Sequence, residues 1–447
     1  MNSFEISIWD LKIKGLSESG QAKVESIMTD QKKYSSGVHW AWVVLGTSFI
    51  TLFINYSIRI GAYSVLLPKM IEDLGINMTQ AGMIRAGYFL TYILFSPLTG
   101  WFMDRFGGRF VISFFCLFLG IGTLLMGQAS GLVTAIIFHG IVGIGAAAIW
   151  TPVTALIQKW FGGKKRGLAL GILSPSYALG FGLMGILLPT IVKNYSWRMG
   201  WYLLGASGLM LIVINFLLLR DDPERMGLLP WGESAKSIAT PSPSERLFNY
   251  LDIIKERTFW LIGASYFFIS LGVYIVSDFM VTYGVVELKI PYPIASTFIS
   301  IMALTSIVGG FLLMTLSDYI GRARSLVIIH LLLAFSIFFI ILAKTDISLL
   351  RVGIGWFGFI YGPIWPMYAV CARDYFPKEV AGTAIGLLTL FYGTGAMVGP
   401  IVAGHLTDLT GTFHWSFGIG ALAALFGALL IGFLKGPREV IKKKEVD

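Results

Sequence analysis

Charged residues are scarce in this 447-residue sequence, and so are the residue types that build most catalytic and metal centres. Only 13% of the residues are charged, whereas 55% are hydrophobic and the mean hydropathy is +0.74. A soluble globular domain of this length does not have such a composition. The two cysteines lie far apart in apolar runs, and the five histidines lack metal-ligand spacing. A disulfide framework, a metal centre, a cofactor and an enzyme active site are therefore not expected.

Long apolar runs dominate the chain instead. Each run is long enough to cross a hydrocarbon core of about 30 Å as a helix. The sequence therefore predicts an all-α integral membrane protein with twelve transmembrane helices. The predicted spans lie near residues 41–70, 79–103, 109–129, 131–158, 167–192, 199–219, 258–283, 292–317, 324–343, 347–373, 380–404 and 413–435.

Most of the 34 Lys and Arg residues fall in loops and tails on one side of the predicted bundle. The positive-inside rule makes that side cytoplasmic, so both termini are predicted to lie inside a multi-pass protein of the cytoplasmic membrane. The net charge of +9 does not indicate nucleic acid, because the basic residues form no cluster with interleaved aromatic residues. The lipid bilayer is the expected surrounding, and the protein is expected to be a monomer.

A single long polar interruption divides the predicted spans into two sets of six. The sequence predicts a cytoplasmic N-terminal tail at 1–38, a six-helix half at 39–219, a cytoplasmic linker at 220–257, a second six-helix half at 258–435 and a cytoplasmic C-terminal tail at 436–447.

Two short patterns recur at nearly the same offset and support this division. Residues 104–109 (DRFGGR) follow the second span, and residues 318–324 (DYIGRAR) follow the eighth. The spacing of Phe161 and Gly167 after the fourth span recurs as Phe376 and Gly382 after the tenth. Duplicated halves place a substrate site at their interface near the membrane midplane.

The pattern that begins at Gly100 and ends at Arg109 resembles the signature of the major facilitator superfamily. The resemblance extends over nearly the whole chain and implies two pseudo-symmetric six-helix halves that transport by alternating access. In that superfamily, the loop carboxylate and arginines form a conformational latch. The resemblance implies a latch made of Gly100, Asp104, Arg105, Gly107 and Arg109 in the first half and of Asp318, Gly321 and Arg322 in the second.

Arg59 is the first candidate for substrate binding. An ionisable side chain inside a span costs about 2.5–3.5 kcal/mol on insertion scales, and a guanidinium group suits a carboxylate or a phosphate. Asn55 lies one turn earlier on the same helix face. Tyr56 followed by Arg59 resembles the first span of organic-anion carriers in the superfamily, and this resemblance implies that Arg59 binds the anion. The second half resembles monocarboxylate and oxalate-formate carriers.

Two residues are candidates for coupling transport to protons. The repeat offset places Asp278 about one turn from the counterpart of Arg59, so an Arg59–Asp278 contact is one hypothesis. An incoming carboxylate would then replace Asp278, which could take a proton. Alternatively, Asp278 is solvated at the outer end of its span. His139 is a second coupling candidate or a packing residue, and Arg85 either snorkels outward or lines a positive vestibule.

Aromatic residues in the fifth, seventh, tenth and eleventh spans complete the predicted site. In the superfamily these spans line the cavity, so the residues could hold a small ligand; alternatively, they are ordinary packing residues of a membrane core. The residues are Tyr177, Tyr274, Tyr361, Trp365 and Tyr392.

These observations predict a secondary active transporter of a small organic anion, such as a monocarboxylate, with proton symport as the coupling hypothesis. Two alternatives remain open. An exporter of amphipathic or cationic compounds could use Asp278, although Arg59 argues against it. A membrane sensor without transport would need a signalling partner for its tails.

Overall fold

The computed structural model describes residues 38–163, 165–233, 251–344 and 346–434. Almost all of the predicted N-terminal tail, the centre of the predicted linker and the predicted C-terminal tail lie outside the described residues. In the described parts the chain is helical, with one isolated β-bridge between Phe161 and Trp231.

Twelve long helices follow one another along the described residues. In chain order they are α1 (Trp40–Leu74), α2 (Met78–Phe106), α3 (Gly108–Met126), α4 (Leu132–Trp160), α5 (Lys165–Asn194), α6 (Trp197–Leu218), α7 (Arg257–Glu287), α8 (Tyr292–Ile320), α9 (Arg322–Ala343), α10 (Ile347–Tyr375), α11 (Lys378–Thr410) and α12 (Phe413–Gly432).

Within the described ranges, eleven of these helices are long and apolar enough to cross a membrane. The other, α2, has 29 residues and a less apolar composition, and it carries Arg85, Asp104 and Arg105. The prediction of an all-α membrane fold with twelve helices is confirmed, and each predicted span lies within two helical turns of its helix. The bounds of the five predicted segments stay predictions.

The two halves change direction at corresponding positions. Gly107 joins α2 to α3 with φ +82° and ψ 156°, and Gly321 joins α8 to α9 with φ +89° and ψ 148°. Residues other than glycine rarely adopt this backbone conformation. The helical hydrogen-bond pattern is also interrupted at Ala148 in α4 and at Gly362 in α10. The sequence repeat is thus a repeat of backbone geometry.

Following the predicted orientation, we call the helix ends near residues 107 and 321 the inner ends. At the outer ends the halves are in contact, since Asp408 of α11 accepts hydrogen bonds from the backbone amides of Met78 (3.0 Å) and Thr79 (2.8 Å) of α2. Ser64 of α1 also donates to the Ser277 carbonyl of α7 at 2.9 Å.

The inner ends of α5 and α11 have open space instead. A Cβ atom built at Gly167, Gly171, Gly382 or Gly386 would meet no heavy atom within 4 Å. Contact outside and open space inside are the features of an inward-facing carrier.

Candidate substrate site

Arg59 lies near the middle of α1, on a π-helical segment, Ser57–Ala62, which interrupts the α-helix. Such segments are rare and occur frequently at functional sites. The side chain is only 4% exposed, and one guanidinium nitrogen, Nη2, donates to the hydroxyl of Tyr392. Its Nε has no hydrogen-bond partner, and no carboxylate forms an ion pair with it among the described residues. Arg59 is therefore a buried cation that forms no ion pair within the described part of the chain.

Four aromatic rings face the Arg59 guanidinium. Its central carbon lies 5.0 Å from the ring centre of Tyr92, 5.4 Å from Tyr56, and 5.9 Å from both Tyr88 and Phe89. The negative faces of aromatic rings attract a cation, but each contributes only about 0.5–2 kcal/mol. The rings therefore stabilise the charge in part and leave it able to bind an anion.

The aromatic residues predicted in the second half converge on the same point. The hydroxyl groups of Tyr392 and Tyr274 lie 2.7 Å apart, and the ring of Trp365 lies 4.7 Å from that of Tyr392. Tyr361 packs edge-on against Trp365, with ring centres 5.7 Å apart. The halves thus meet around Arg59.

The other predicted aromatic residue, Tyr177, reaches the same cluster from α5. We call this cluster of Arg59 and the aromatic residues around it the Arg59 chamber. Its ring lies 5.6 Å from that of Tyr56, and its hydroxyl group donates to the Gly362 carbonyl at 3.4 Å. Asn55 is buried as well, but its Oδ1 has no partner in the described part of the chain, and no hydrogen bond joins it to Arg59 there. Asn55 and Arg59 thus share a helix face without a hydrogen bond between their side chains in the described structure.

Asp278 has a different partner from the one hypothesised. Its Oδ2 accepts a hydrogen bond from Nε of Arg85 at 2.9 Å, and both side chains are almost completely buried. The hypothesis of an Arg59–Asp278 contact is wrong in this conformation, because Arg85 of α2 lies between α1 and α7. Burial also excludes a solvated Asp278, and an Arg85 that snorkels to the surface.

His139 packs against rings of the first half, including Tyr88, whose ring centre is 5.2 Å away and which also faces Arg59. His139 stacks on Tyr63 with ring centres 5.0 Å apart and an angle of 10° between the planes. Its Nδ1 lies 3.2 Å from the Ile84 carbonyl oxygen, so Nδ1 carries the proton, and Nε2 has no partner in the described structure. Its proposed coupling role stays a prediction.

Two members of the predicted latch are paired in the second half. Arg322 forms an ion pair with Asp318 and donates to the Ser317 hydroxyl. In the first half the geometry differs: among the described residues Asp104 has no ion pair with Arg105 or Arg109.

The carboxylate that reaches the first-half loop is Asp221, whose Oδ1 accepts from the backbone amide of Arg109 at 2.8 Å. Arg109 itself donates through Nε to the Phe216 carbonyl at 2.6 Å. A latch that includes Gly100, Asp104, Arg105 and Gly107 stays a prediction.

Sequence reasoning missed the face of α2 that forms one wall of the chamber. Arg85, Tyr88, Phe89 and Tyr92 recur three and four residues apart, which is the spacing of one helix face. That pattern was available in the sequence and indicates a shared surface.

A polar network behind the chamber was also missed. Tyr368 stacks on Tyr266 at 4.0 Å, and its hydroxyl group lies 2.9 Å from Nε2 of His330 and 2.6 Å from Oγ of Ser265. Tyr266 in turn stacks on Tyr392 at 5.5 Å. This stack of rings supports Tyr392, which contacts Arg59, and no sequence motif indicated it.

Tyr392→Phe is expected to weaken anion binding about tenfold, because a hydrogen bond to a charged group contributes roughly 1.5–3 kcal/mol. The substitution removes the only side chain that orients the Arg59 guanidinium by a hydrogen bond in the described structure. The measurement is the apparent affinity in liposome exchange, with Tyr319→Phe, at an exposed tyrosine, as the control. Tighter binding would mean that the hydroxyl group competes with the anion.

Twelve helices in two related halves, with a buried cluster of one arginine and several aromatic residues between them, have the architecture of a membrane transport protein. The family model for the Major Facilitator Superfamily matches residues 47–394 and 357–447. The chain belongs to that superfamily.

Several curated relatives align over most of the chain. It is 25% identical over 414 residues to a probable sulfoacetate transporter of Cupriavidus necator, covering 86% of this chain and 93% of the relative. It is 22% identical to the hexuronate transporter of Bacillus subtilis, with coverages of 86% and 92%. It is 25% identical to a probable galactarate/D-glucarate transporter of the same species, with coverages of 91% and 94%.

Two solved structures share the fold. A bacterial homologue of the human lysosomal transporter Spinster, in an inward-facing and unoccupied conformation, has a TM-score of 0.64 at 16% identity and covers 89% of this chain and 95% of its own. The nucleoside transporter NupG (D323A mutant) has a TM-score of 0.68 at 15% identity, with coverages of 87% and 99%. At these identities the likeness concerns the fold alone.

Proposed function

We propose that this protein is a secondary carrier of small organic anions, and that Arg59 is the group that binds the anion. One observation carries the proposal. Arg59 is buried in the middle of the bundle, and no described carboxylate balances its charge. A buried charge without a partner is costly in a membrane protein, so the substrate is the natural counter-ion.

The names of the relatives support the same class of substrate. Sulfoacetate, hexuronates, galactarate and glucarate are all small anions that carry carboxylate groups. The chamber lined by Tyr56, Tyr177, Tyr274, Tyr361 and Tyr392 adds hydroxyl groups and ring faces to Arg59, which would suit a polar organic acid better than an inorganic ion.

The route of transport follows from the same features. The anion would reach Arg59 from the open inner side or, after the halves rock, from the outer side. Protons are the proposed coupling ion, with Asp278 and His139 as the candidate carriers. We further propose that the protein works as a monomer in the cytoplasmic membrane with both termini inside.

An exporter of cationic compounds is less well supported. Such a carrier needs a negative group in its chamber, and Asp278 already pairs with Arg85 at 2.9 Å. Arg59 would repel a second cation at close range.

Counterflow in liposomes tests the proposal. Liposomes that contain the purified protein would be loaded with one unlabelled compound, and the uptake of the same labelled compound would be measured. The compounds are sulfoacetate, D-glucarate, D-glucuronate and glucose 6-phosphate, with the cationic dye ethidium as the contrast. We expect exchange of one or more of the anions and none of ethidium. Exchange of ethidium without exchange of any anion would overturn the proposal and favour the exporter.

A further inference from the structure

The buried core of the protein has an unequal number of positive and negative groups. Among the described residues with ionic side chains, three are nearly or fully buried: Arg59, Arg85 and Asp278. The buried histidines, His139 and His330, each have Nδ1 at a carbonyl oxygen. A proton on the free Nε2 of His139 would add a cation near Arg85 without an anion to balance it. The core therefore has a net charge of +1 while Asp278 is ionised.

The two arginines are physically connected. The guanidinium groups of Arg59 and Arg85 lie against the same rings, Tyr88 at 5.9 and 5.0 Å and Phe89 at 5.9 and 4.9 Å. Nη1 of Arg85 also donates to the Arg59 carbonyl at 2.7 Å, in the π-helical segment. An anion at Arg59 is thus close enough to change the balance of charge at the Arg85–Asp278 pair.

The surroundings of Asp278 leave it one unused oxygen. Oδ1 has no hydrogen-bond partner among the described residues, while Oδ2 is bound by Arg85. The titratable or charged side chains that interact with it from the packed elements are Tyr63 and Arg59 of α1 and Arg85 of α2. A proton on Oδ1 would neutralise the carboxyl group without breaking its contact with Arg85.

We propose that the protonation state of Asp278 determines whether the protein transports a monoanion alone or a dianion together with a proton. With Asp278 ionised, one negative charge at Arg59 makes the core neutral, so a monoanion travels without a proton. A dianion makes the core neutral only when Asp278 holds one proton, so the dianion and the proton travel together. This inference rests on the proposed function and adds a rule for its substrates.

Exchange between matched anions tests the rule. Isethionate and sulfoacetate form one pair, and D-gluconate and D-glucarate form another; each pair differs by one negative charge at similar size. External dianion exchanged against internal monoanion is expected to carry one proton inward per dianion, read with a pH-sensitive dye inside the liposomes. Monoanion-for-monoanion exchange is expected to carry none. Equal proton movement in both modes would overturn the rule.

Two variants test the role of Asp278 itself. Asp278→Asn raises the core charge to +2, so the ratio of dianion to monoanion affinity is expected to rise about tenfold and proton movement to disappear. The double variant Arg85→Gln/Asp278→Asn restores +1 without a proton site. Its affinity ratio is expected to fall below that of the wild type, because a dianion leaves this core at −1 and no site can take a compensating proton; proton movement stays absent. A merely structural ion pair would lower all rates and leave the ratio unchanged.

The matched control is Glu72→Gln, which neutralises the exposed carboxylate of the Lys69–Glu72 ion pair within α1. It is expected to leave the affinity ratio and the proton movement unchanged. If the Asp278→Asn protein does not fold, the proton measurement on the wild type still decides the rule. If the wild type exchanges none of these four anions and neither D-glucuronate nor glucose 6-phosphate, the proposed function fails instead.

Discussion

Arg59→Gln is expected to reduce the exchange of organic anions about 100-fold, close to the rate of empty liposomes. An unbalanced charge inside a membrane protein costs roughly 3 kcal/mol, and glutamine cannot balance the anion that Arg59 would hold. Arg59→Lys keeps the charge but loses the planar pair of donors, so a smaller loss of about tenfold is expected. The measurement is the initial rate of counterflow at several anion concentrations.

The control for Arg59 is Arg351→Gln, which removes an arginine from the exposed surface of α10. It is expected to exchange anions at the wild-type rate. Wild-type exchange by the Arg59→Gln protein would show that the anion binds elsewhere, even if the carrier function itself were correct.

Gly82→Ala is expected to prevent the outer ends from closing. A Cβ atom at Gly82 of α2 would lie 2.6 Å from the carbonyl carbon of Pro400 and 2.8 Å from the amide nitrogen of Ile401, both in the backbone of α11. Neither position can yield by a side-chain rotation, so the two helices must separate. The inward-facing state would be destabilised and the outward-facing state would accumulate.

A cysteine at Ser277, which is buried between the halves near the outer side, reports this change. In a background without Cys116 and Cys371, an impermeant thiol reagent added outside is expected to label it about tenfold faster in the Gly82→Ala protein. Gly418→Ala is the control, because a Cβ atom there meets no heavy atom within 4 Å. Unchanged labelling would mean that α2 and α11 absorb the methyl group without separating.

The positions of the helices could be predicted because lipid imposes strong constraints. A span must be long and apolar, and its connecting loops carry the basic residues, so both signals are present in the sequence itself. The repeat was visible for a similar reason, because Gly107 and Gly321 occupy a backbone conformation that other residues rarely adopt. The five predicted aromatic residues, Tyr177, Tyr274, Tyr361, Trp365 and Tyr392, lie close together in the structure, and their role in ligand binding stays a prediction.

The pairing of Asp278 could not be predicted from the repeat. An offset in sequence gives the height of a residue in the membrane but not the rotation of its helix, and Arg85 reaches Asp278 from a third helix. The π-helical segment that holds Arg59 has no signal in composition. The rotation of a helix about its axis and the position of a π-helical segment both depend on how the helices pack. No simple pattern in a single sequence indicates that packing.

In the proposed orientation, the contact between Asp408 and the first turn of α2 links the resting conformation of the carrier to the ionic strength on its outer side. The Asp408 carboxylate is exposed, and it accepts hydrogen bonds from backbone amides at the N-terminus of α2 that have no partner within the helix. Dissolved salt weakens this interaction. The fraction of carriers with a closed outer side should therefore fall as external ionic strength rises.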